Sequence, residues 1–228
     1  MTDKVFIGTP PIELSVKRSV RAKRYGLRID PRNGDVILTV PPGGSLAQAT
    51  AFAETKVAWL RKHLSTASVR KPLAFGDEIY LAGVPVTLGK SGTSRTVLRD
   101  RTLYIAKTEA EIPSRLKAFL KVEAQARLVP AAGYYSEMIN QRFRNVSFRD
   151  TKSRWGSCTS RGDLMFSIRL AMVPPKVAHY VAAHEVCHLL EMNHSSRFWG
   201  HVERIFPDYR AQRTWLKTQA RAIQAIQL

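Results

Sequence analysis

The 228 residues are 44% hydrophobic and 24% charged, with 12 Pro and 13 Gly spread along the chain. These proportions suit one or two globular domains and exclude collagen-like, coiled-coil and disordered chains. No apolar run approaches the about 20 residues of a membrane helix, and Met1-Thr-Asp-Lys-Val-Phe-Ile lacks the basic-then-apolar layout of a secretory leader, so a soluble cytoplasmic protein with no membrane contact is expected. Lys and Arg number 36 against 18 Asp and Glu, and the net +18 makes polyanions eligible partners.

Arg24–Asp30 alternates apolar and polar residues and Asp35–Val40 is β-branched, and the Asn33-Gly34 pair between them predicts a hairpin. Ser45 is placed to cap a helix running to about Leu64, followed by short strands around residues 78–81, 84–88, 95–98 and 103–106. Near Glu109 the character changes. A helix is expected from Pro113, kinked or resumed beyond Pro130, then strands at 145–149, 153–158 and 164–172. Pro174-Pro175 opens a helix to about Met192, a second spans about 196–206, and a third runs from Asp208. The expected organisation is α+β: a β-rich N-terminal part with one helix over residues 1–108 and a catalytic part over 109–228, with no internal sequence repeat.

Chemistry concentrates in Val181-Ala-Ala-His184-Glu185-Val-Cys-His188-Leu-Leu190. Two imidazoles and a carboxylate lie in a run otherwise apolar enough to be buried, where unpaired polar groups cost several kcal/mol. Four helical residues turn about 400°, so His184 and His188 share a face one turn apart, a bite that suits zinc. Glu185 lies about 100° round, beside the metal and able to carry a proton from its water. A catalytic zinc takes a third protein ligand, and His194 is the best placed, between Asn193, which can adopt the left-handed conformation that ends a helix, and the Ser195/Ser196 cap of the next. Two core histidines satisfied by other groups would give the same spacing. Cys158 and Cys187 are too few for a disulfide framework; Cys187 reads as core, and Cys158 is a weak further ligand candidate. His179 and His201 read as surface or supporting histidines.

Thr151-Lys-Ser-Arg-Trp155-Gly-Ser-Cys158, His184-Glu-Val-Cys-His188-Leu-Leu-Glu-Met-Asn-His194 with Phe198-Trp199, and Pro207-Asp-Tyr209 together resemble the YgjP-like metallopeptidase-domain family, a relative of SprT-like zincins described as predicted zinc-dependent hydrolases. The resemblance implies Zn2+ held by His184, His188 and His194, Glu185 as general base, and a zincin core of twisted sheet packed on the active-site helix. Within it, the strand around Arg154–Cys158 is either a substrate-binding edge or a structural segment with Trp155 in the core and Gly156 at a bulge. Tyr180, His179, Arg154, Arg197 and Tyr209 are all eligible to stabilise an oxyanion.

The leading expectation is a zinc-dependent peptidase acting on peptide or protein. One rival keeps the metal but hydrolyses nucleotides or other phosphoanhydrides, against which stands the absence of a phosphate-cradling Gly-rich loop. Another is a nucleic-acid-associated protein acting on DNA-bound proteins, with Lys17, Arg18, Arg21, Lys23, Arg24 and Arg28 on the polyanion and Tyr25 stacked on a base. The charge excess is shared: residues 1–75 hold 13 basic and 5 acidic side chains and residues 151–228 hold 11 and 5. It therefore does not name the chemistry, and the sequence fixes no oligomeric state.

Overall fold

Apolar residues at every second position of Ile12-Glu-Leu-Ser-Val16 put Ile12, Leu14 and Val16 on one buried face, and the strand they form is central to the first of two units. The computed structural model describes residues 3–30, 34–66, 72–93, 95–151 and 154–228, and divides the chain into Met1–Pro72 and Leu73–Leu228. Among the described residues no helix is long and apolar enough to cross a membrane.

The first unit contains β1 (Lys4–Ile7), β2 (Ile12–Arg18), β3 (Gly26–Ile29) and β4 (Val36–Val40), in sheet order β1-β2-β4-β3, followed by α1 (Leu46–Glu54) and α2 (Val57–Thr66). β3 and β4 pair antiparallel as expected, although residues 31–33 of their turn lie outside the described residues. β2 and β4 run parallel. Ala49, Ala53 and Leu60 pack onto Leu14, Leu38 and Val40 to make a core of its own. The single helix expected over 45–64 is two. Ser45 does cap the first, its Oγ accepting from Gln48 N at 3.1 Å, but the chain breaks at Thr55-Lys56, where Thr55 turns its hydroxyl to the Phe52 carbonyl.

The second unit opens with β5 (Glu78–Leu81), β6 (Val84–Lys90), β7 (Val97–Arg99) and β8 (Thr102–Ala106), in order β5-β6-β8-β7. This repeats the strand order and the parallel and antiparallel pairings of the first sheet, a recurrence of topology that the sequence does not display. α3 (Ile112–Met138) follows, then β9 (Asn145–Arg149), β10 (Gly156–Cys158) and β11 (Asp163–Ser167) in a sheet of order β10-β11-β9, and α4 (Pro175–Cys187), α5 (Ser196–Ile205) and α6 (Tyr209–Ala225). α3 runs unbroken through Pro130, which is exposed, while Leu116, Leu120, Ala124 and Leu128 form its buried stripe at four-residue spacing.

The change of character near Glu109 is not where the compact units part. Strands β5–β8 share one core with α3 and α4. Ala82 and Gly83 turn the β5–β6 hairpin with positive φ, 54° and 79°, and their N–H groups donate to the carbonyls of Ala171 and Met172 at 2.8 and 2.9 Å. A Cβ at Gly83 would lie 2.7 Å from Pro174 Cγ, so this hairpin tip abuts the residue that starts α4. Local composition reports strand content; it does not report which helix a hairpin tip touches.

Arg169, 1% exposed, ties β9 to the end of α6: its Nε donates to Asp150 Oδ1 at 2.7 Å and Nη1 to the carbonyls of Ile223 and Ile226 at 2.7 and 3.0 Å. Arg169→Ala leaves the largely buried Asp150 with only Lys117, at 3.5 Å, and removes a donor from two carbonyls, and is expected to cost about 2–3 kcal/mol of stability in chemical denaturation. A loss below about 1 kcal/mol would show that the tie is dispensable.

Candidate metal centre and active site

α4 is apolar on nearly every side because it is packed all round: Val177, Ala178, Val181, Ala182, Ala183, Val186 and Cys187 are buried. It ends at Cys187, five residues before the expected Met192, and His188 is its C-cap, still with helical φ −66° and ψ −13°. The one-turn relation of His184 and His188 is therefore kept. Asn193 does not take a left-handed conformation. It shapes the following loop through its side chain, Nδ2 donating to Glu191 Oε1 at 2.8 Å and Oδ1 accepting from Ser195 N at 2.9 Å. Ser195 then caps α5 through Phe198 N, at 3.3 Å, and this pair of turns brings His194 back to α4.

His184, His188 and His194 converge as a group able to hold a metal ion, with donor atoms all within 4.8 Å of one another. Nε2 of His184 and Nε2 of His194 are 3.1 Å apart, close to the about 3.3 Å between nitrogens of a tetrahedral zinc. His188 Nδ1 lies 2.9 Å from the Glu191 carbonyl, which can only accept, so Nδ1 carries the proton and Nε2 keeps its lone pair. Nδ1 of His184 is buried without a partner. Nδ1 goes unsatisfied in either neutral tautomer of His184, and without an ion the Nε2–Nε2 contact requires one of the two rings to donate. A cation where the rings converge takes the lone pairs of both Nε2 atoms at once, so the donor set fits a metal.

Electrostatics agree with that reading. Burial, aided by the neighbouring His188 and His194, lowers His184 to about 3, and burial also lowers His188, so both are neutral donors at neutral pH. Below them lies Phe198, wholly buried, its ring centroid 4.9, 4.4 and 4.8 Å from those of His184, His188 and His194. Trp199 stacks on His194 at 5.8 Å and Tyr209 on Trp199 at 5.2 Å, with the Arg213 guanidinium 4.4 Å from the Trp199 centroid.

Glu185 is 7% exposed, and burial pushes its carboxyl up to about 8 against the opposing pull of Arg154. β10 lies directly on it. Gly156 is not a bulge: it pairs in register with Phe166, and a Cβ there would meet Glu185 Cγ and Oε1 at 2.6 Å. Glycine is required by this approach, not by a turn. Gly156, Ser157, Cys158, Met192, Glu185 and the three histidines line a cavity of about 290 Å³. Cys158 thus faces the site without joining the metal-capable group, and its thiol is pushed up to about 11 by burial.

The family model for the YgjP-like metallopeptidase domain matches residues 23–219. The chain belongs to this family. None of the curated proteins matches the sequence. Among solved structures, the metallopeptidase zymogen abylysin of Pyrococcus abyssi is 21% identical, with 40% of this chain and 95% of that one covered at a TM-score of 0.36.

In this YgjP-like chain the eligible oxyanion residues fall in different places. His179 bonds Tyr135 at 3.2 Å in a separate cavity with Lys176 and Phe206. Tyr180 is buried, edge-on to His184 at 5.9 Å, and Tyr209 is buried under Trp199. Arg197 is 82% exposed, beside Glu191. Arg154 is the one whose charge reaches Glu185. Sequence reasoning missed Glu191, Gly156 as the seat of Glu185, and Arg213; a Gly flanked by strand residues is the one signal that pointed to a close approach.

For metal-free protein the pH dependence of stability has two limbs. Glu185 is raised from 4.5 to about 8, so its contribution is complete below pH 4.5 and lost as pH rises towards 8; His184 is lowered from 6.5 to about 3, so its contribution is present above pH 6.5 and lost as pH falls. Glu185→Gln should abolish the alkaline decline and leave the acid one, read as denaturation midpoints of chelated protein from pH 5 to 8.5. An unchanged alkaline limb would place its origin elsewhere.

Proposed function

We infer that the protein is a zinc-dependent peptidase with a zincin-like core, in which His184, His188 and His194 hold the ion and Glu185 is the proton carrier. The observation that supports this most is the convergence of three imidazoles beside a buried carboxylate on the wall of one cavity. Zinc bound there supplies Lewis acidity towards the scissile carbonyl and acidifies water.

The chain's own residues do the rest. Glu185, poised near neutrality by its burial, takes a proton from the attacking water and delivers it to the leaving amine. Among the described residues β10 pairs only with β11, leaving its other edge without a strand partner there, and that strand lines the cavity beside Glu185. An extended peptide added to the edge presents its carbonyl to the site by main-chain hydrogen bonds, which favours unfolded segments over folded ones. Arg154, two residues before β10, is the cation nearest the proton carrier in electrostatic reach and is assigned to the developing oxyanion. Among the described residues no other cluster of His, Cys, Asp or Glu is suited to a metal, which disfavours phosphoanhydride hydrolysis with its carboxylate-bound magnesium.

Zinc-loaded protein should cleave an unfolded polypeptide and leave nucleoside triphosphates intact; the opposite pattern overturns the peptidase reading. Glu185→Gln should retain one zinc per chain and lose at least about 100-fold in kcat. Gly156→Ala, whose methyl must displace the Glu185 carboxylate, should also keep zinc while lowering kcat/KM on the order of 100-fold, as expected for a misplacement of about 1 Å. Full activity in Gly156→Ala would detach β10 from the chemistry.

A further inference from the structure

We propose that the first unit carries a nucleic-acid-binding surface, formed by the end of β2, the loop to β3 and β3 itself, which grips the phosphodiester backbone without reading bases. Lys17, Arg18, Arg21, Lys23, Arg24 and Arg28 are all exposed, and none forms an ion pair among the described residues. No acidic residue occurs between Glu13 and Asp30. Of the nearby carboxylates, Glu13 holds Lys4 at 2.7 Å, Glu54 accepts from Gly8 N at 3.2 Å and Asp30 is 4% exposed, while the exposed Asp35 lies before β4, beyond the Arg28 end of the cluster.

Topology gathers these cations. Lys17 pairs across β4 with Thr39 and Gly26 pairs with Thr39 from the other side, so β2 and β3 flank β4 at that level, about 10 Å apart, with Arg28 two residues further along β3. Lys17 and Arg28 both occupy positions whose in-register partners, Thr39 and Ile37, alternate with the buried Val36, Leu38 and Val40; they therefore share the face opposite α1 and α2. The loop with Arg21, Lys23 and Arg24 borders one end of that face. Arg18, in register with the buried Val40, instead turns to the other face and donates to the Gly44 carbonyl at 3.3 Å, and the five remaining cations match a polymer with a charge every about 1.7 Å of duplex.

Tyr25 does not read bases. Its hydroxyl donates to Gln48 Oε1 at 2.8 Å and its ring lies 6.3 Å from Phe52, so it is committed to packing against α1. Exposed Phe6 pairs with Glu13, at the other end of β2 from Lys17 and Arg18. Without a stacking platform among the cations, affinity follows phosphate density, and duplex binds at least as well as single strand, independent of sequence.

The test is fluorescence anisotropy of the full zinc-loaded chain with a labelled 20-base-pair duplex across about 50–200 mM salt. With about five phosphates neutralised, affinity should fall roughly 500-fold over that range. The variant Arg21→Glu, Lys23→Glu, Arg24→Glu should lose at least about 100-fold at low salt, and Lys121→Glu, Arg142→Glu, Lys217→Glu, with the same change in net charge, should stay within about threefold. The milder Gln triple at positions 21, 23 and 24, checked by melting temperature, covers misfolding of the first. Equal losses in both charge-reversed triples, a salt-independent affinity, or binding to phosphatidylserine vesicles with none to duplex overturns the proposal. Peptide cleavage by the loop variants is a separate readout: if cleavage is absent in wild type while duplex binding holds, the peptidase reading fails and this one stands.

Discussion

A helix that carries two imidazoles and a carboxylate into an apolar core must satisfy all three there, and much of the second unit's architecture answers that requirement. α4 is enclosed on nearly every side at this end, so His184, Glu185 and the capping His188 have one outlet, the cavity shared with β10 and the loop before α5. The carboxylate is satisfied by remaining protonated more readily than an exposed one, at the cost of a fold that weakens as pH rises. The imidazoles are satisfied only in part: Glu191 serves His188, whereas Nδ1 of His184 has no partner. This makes the site a better host for a cation than for protons, because a proton on the largely buried His184 places a charge beside two further imidazoles where burial already disfavours it.

The same enclosure explains why a glycine in a strand matters to chemistry. Most strand glycines weaken a sheet; Gly156 lets the backbone of β10 come within side-chain contact of Glu185, so the edge strand and the proton carrier are fixed relative to each other with no intervening side chain. An adjustable residue between them would let the distance vary with rotamer. Phe198 does the equivalent work beneath the metal-capable group, touching all three rings and thereby coupling the position of His194, on a loop, to that of two histidines on α4.

How much of this was legible in the residues follows from which forces are local. The i, i+4 relation of His184 and His188 and the cap at Ser195 depend on a few consecutive residues, and both are as the spacing predicts. Strands β5, β8 and β9 were readable from β-branched and aromatic runs. β1 and β2 were passed over, and the early end of α4 was hidden because Leu189 and Leu190 continue the apolar run after the helix has stopped. Asn193 shows the limit of residue-type rules: a residue suited to a left-handed cap acts through its side-chain amide instead, because Glu191 and Ser195 offer it partners. The assignment of β5–β8 was beyond reach for a different reason, since the decisive contact, Gly83 against Pro174, joins residues far apart in the chain.

The charge, the least specific feature at the outset, gains meaning from where carboxylates are rather than from where cations are. In the second unit basic groups often meet acids: Arg144 chelates Asp163, Arg169 holds Asp150, Arg210 holds Glu203. Along β2 and β3 the cations meet none among the described residues, while Glu13 is tied to Lys4, Glu54 to the backbone of Gly8, and Asp30 is buried. Exposed cations on strands that flank β4, and on the loop between them, repel one another, and this repulsion is relieved by salt or by a bound external anion. A merely solvated basic surface would leave that strain unrelieved at every salt concentration below screening; a surface that meets a polyphosphate ester converts it into binding free energy, and the two differ in the slope of affinity against salt.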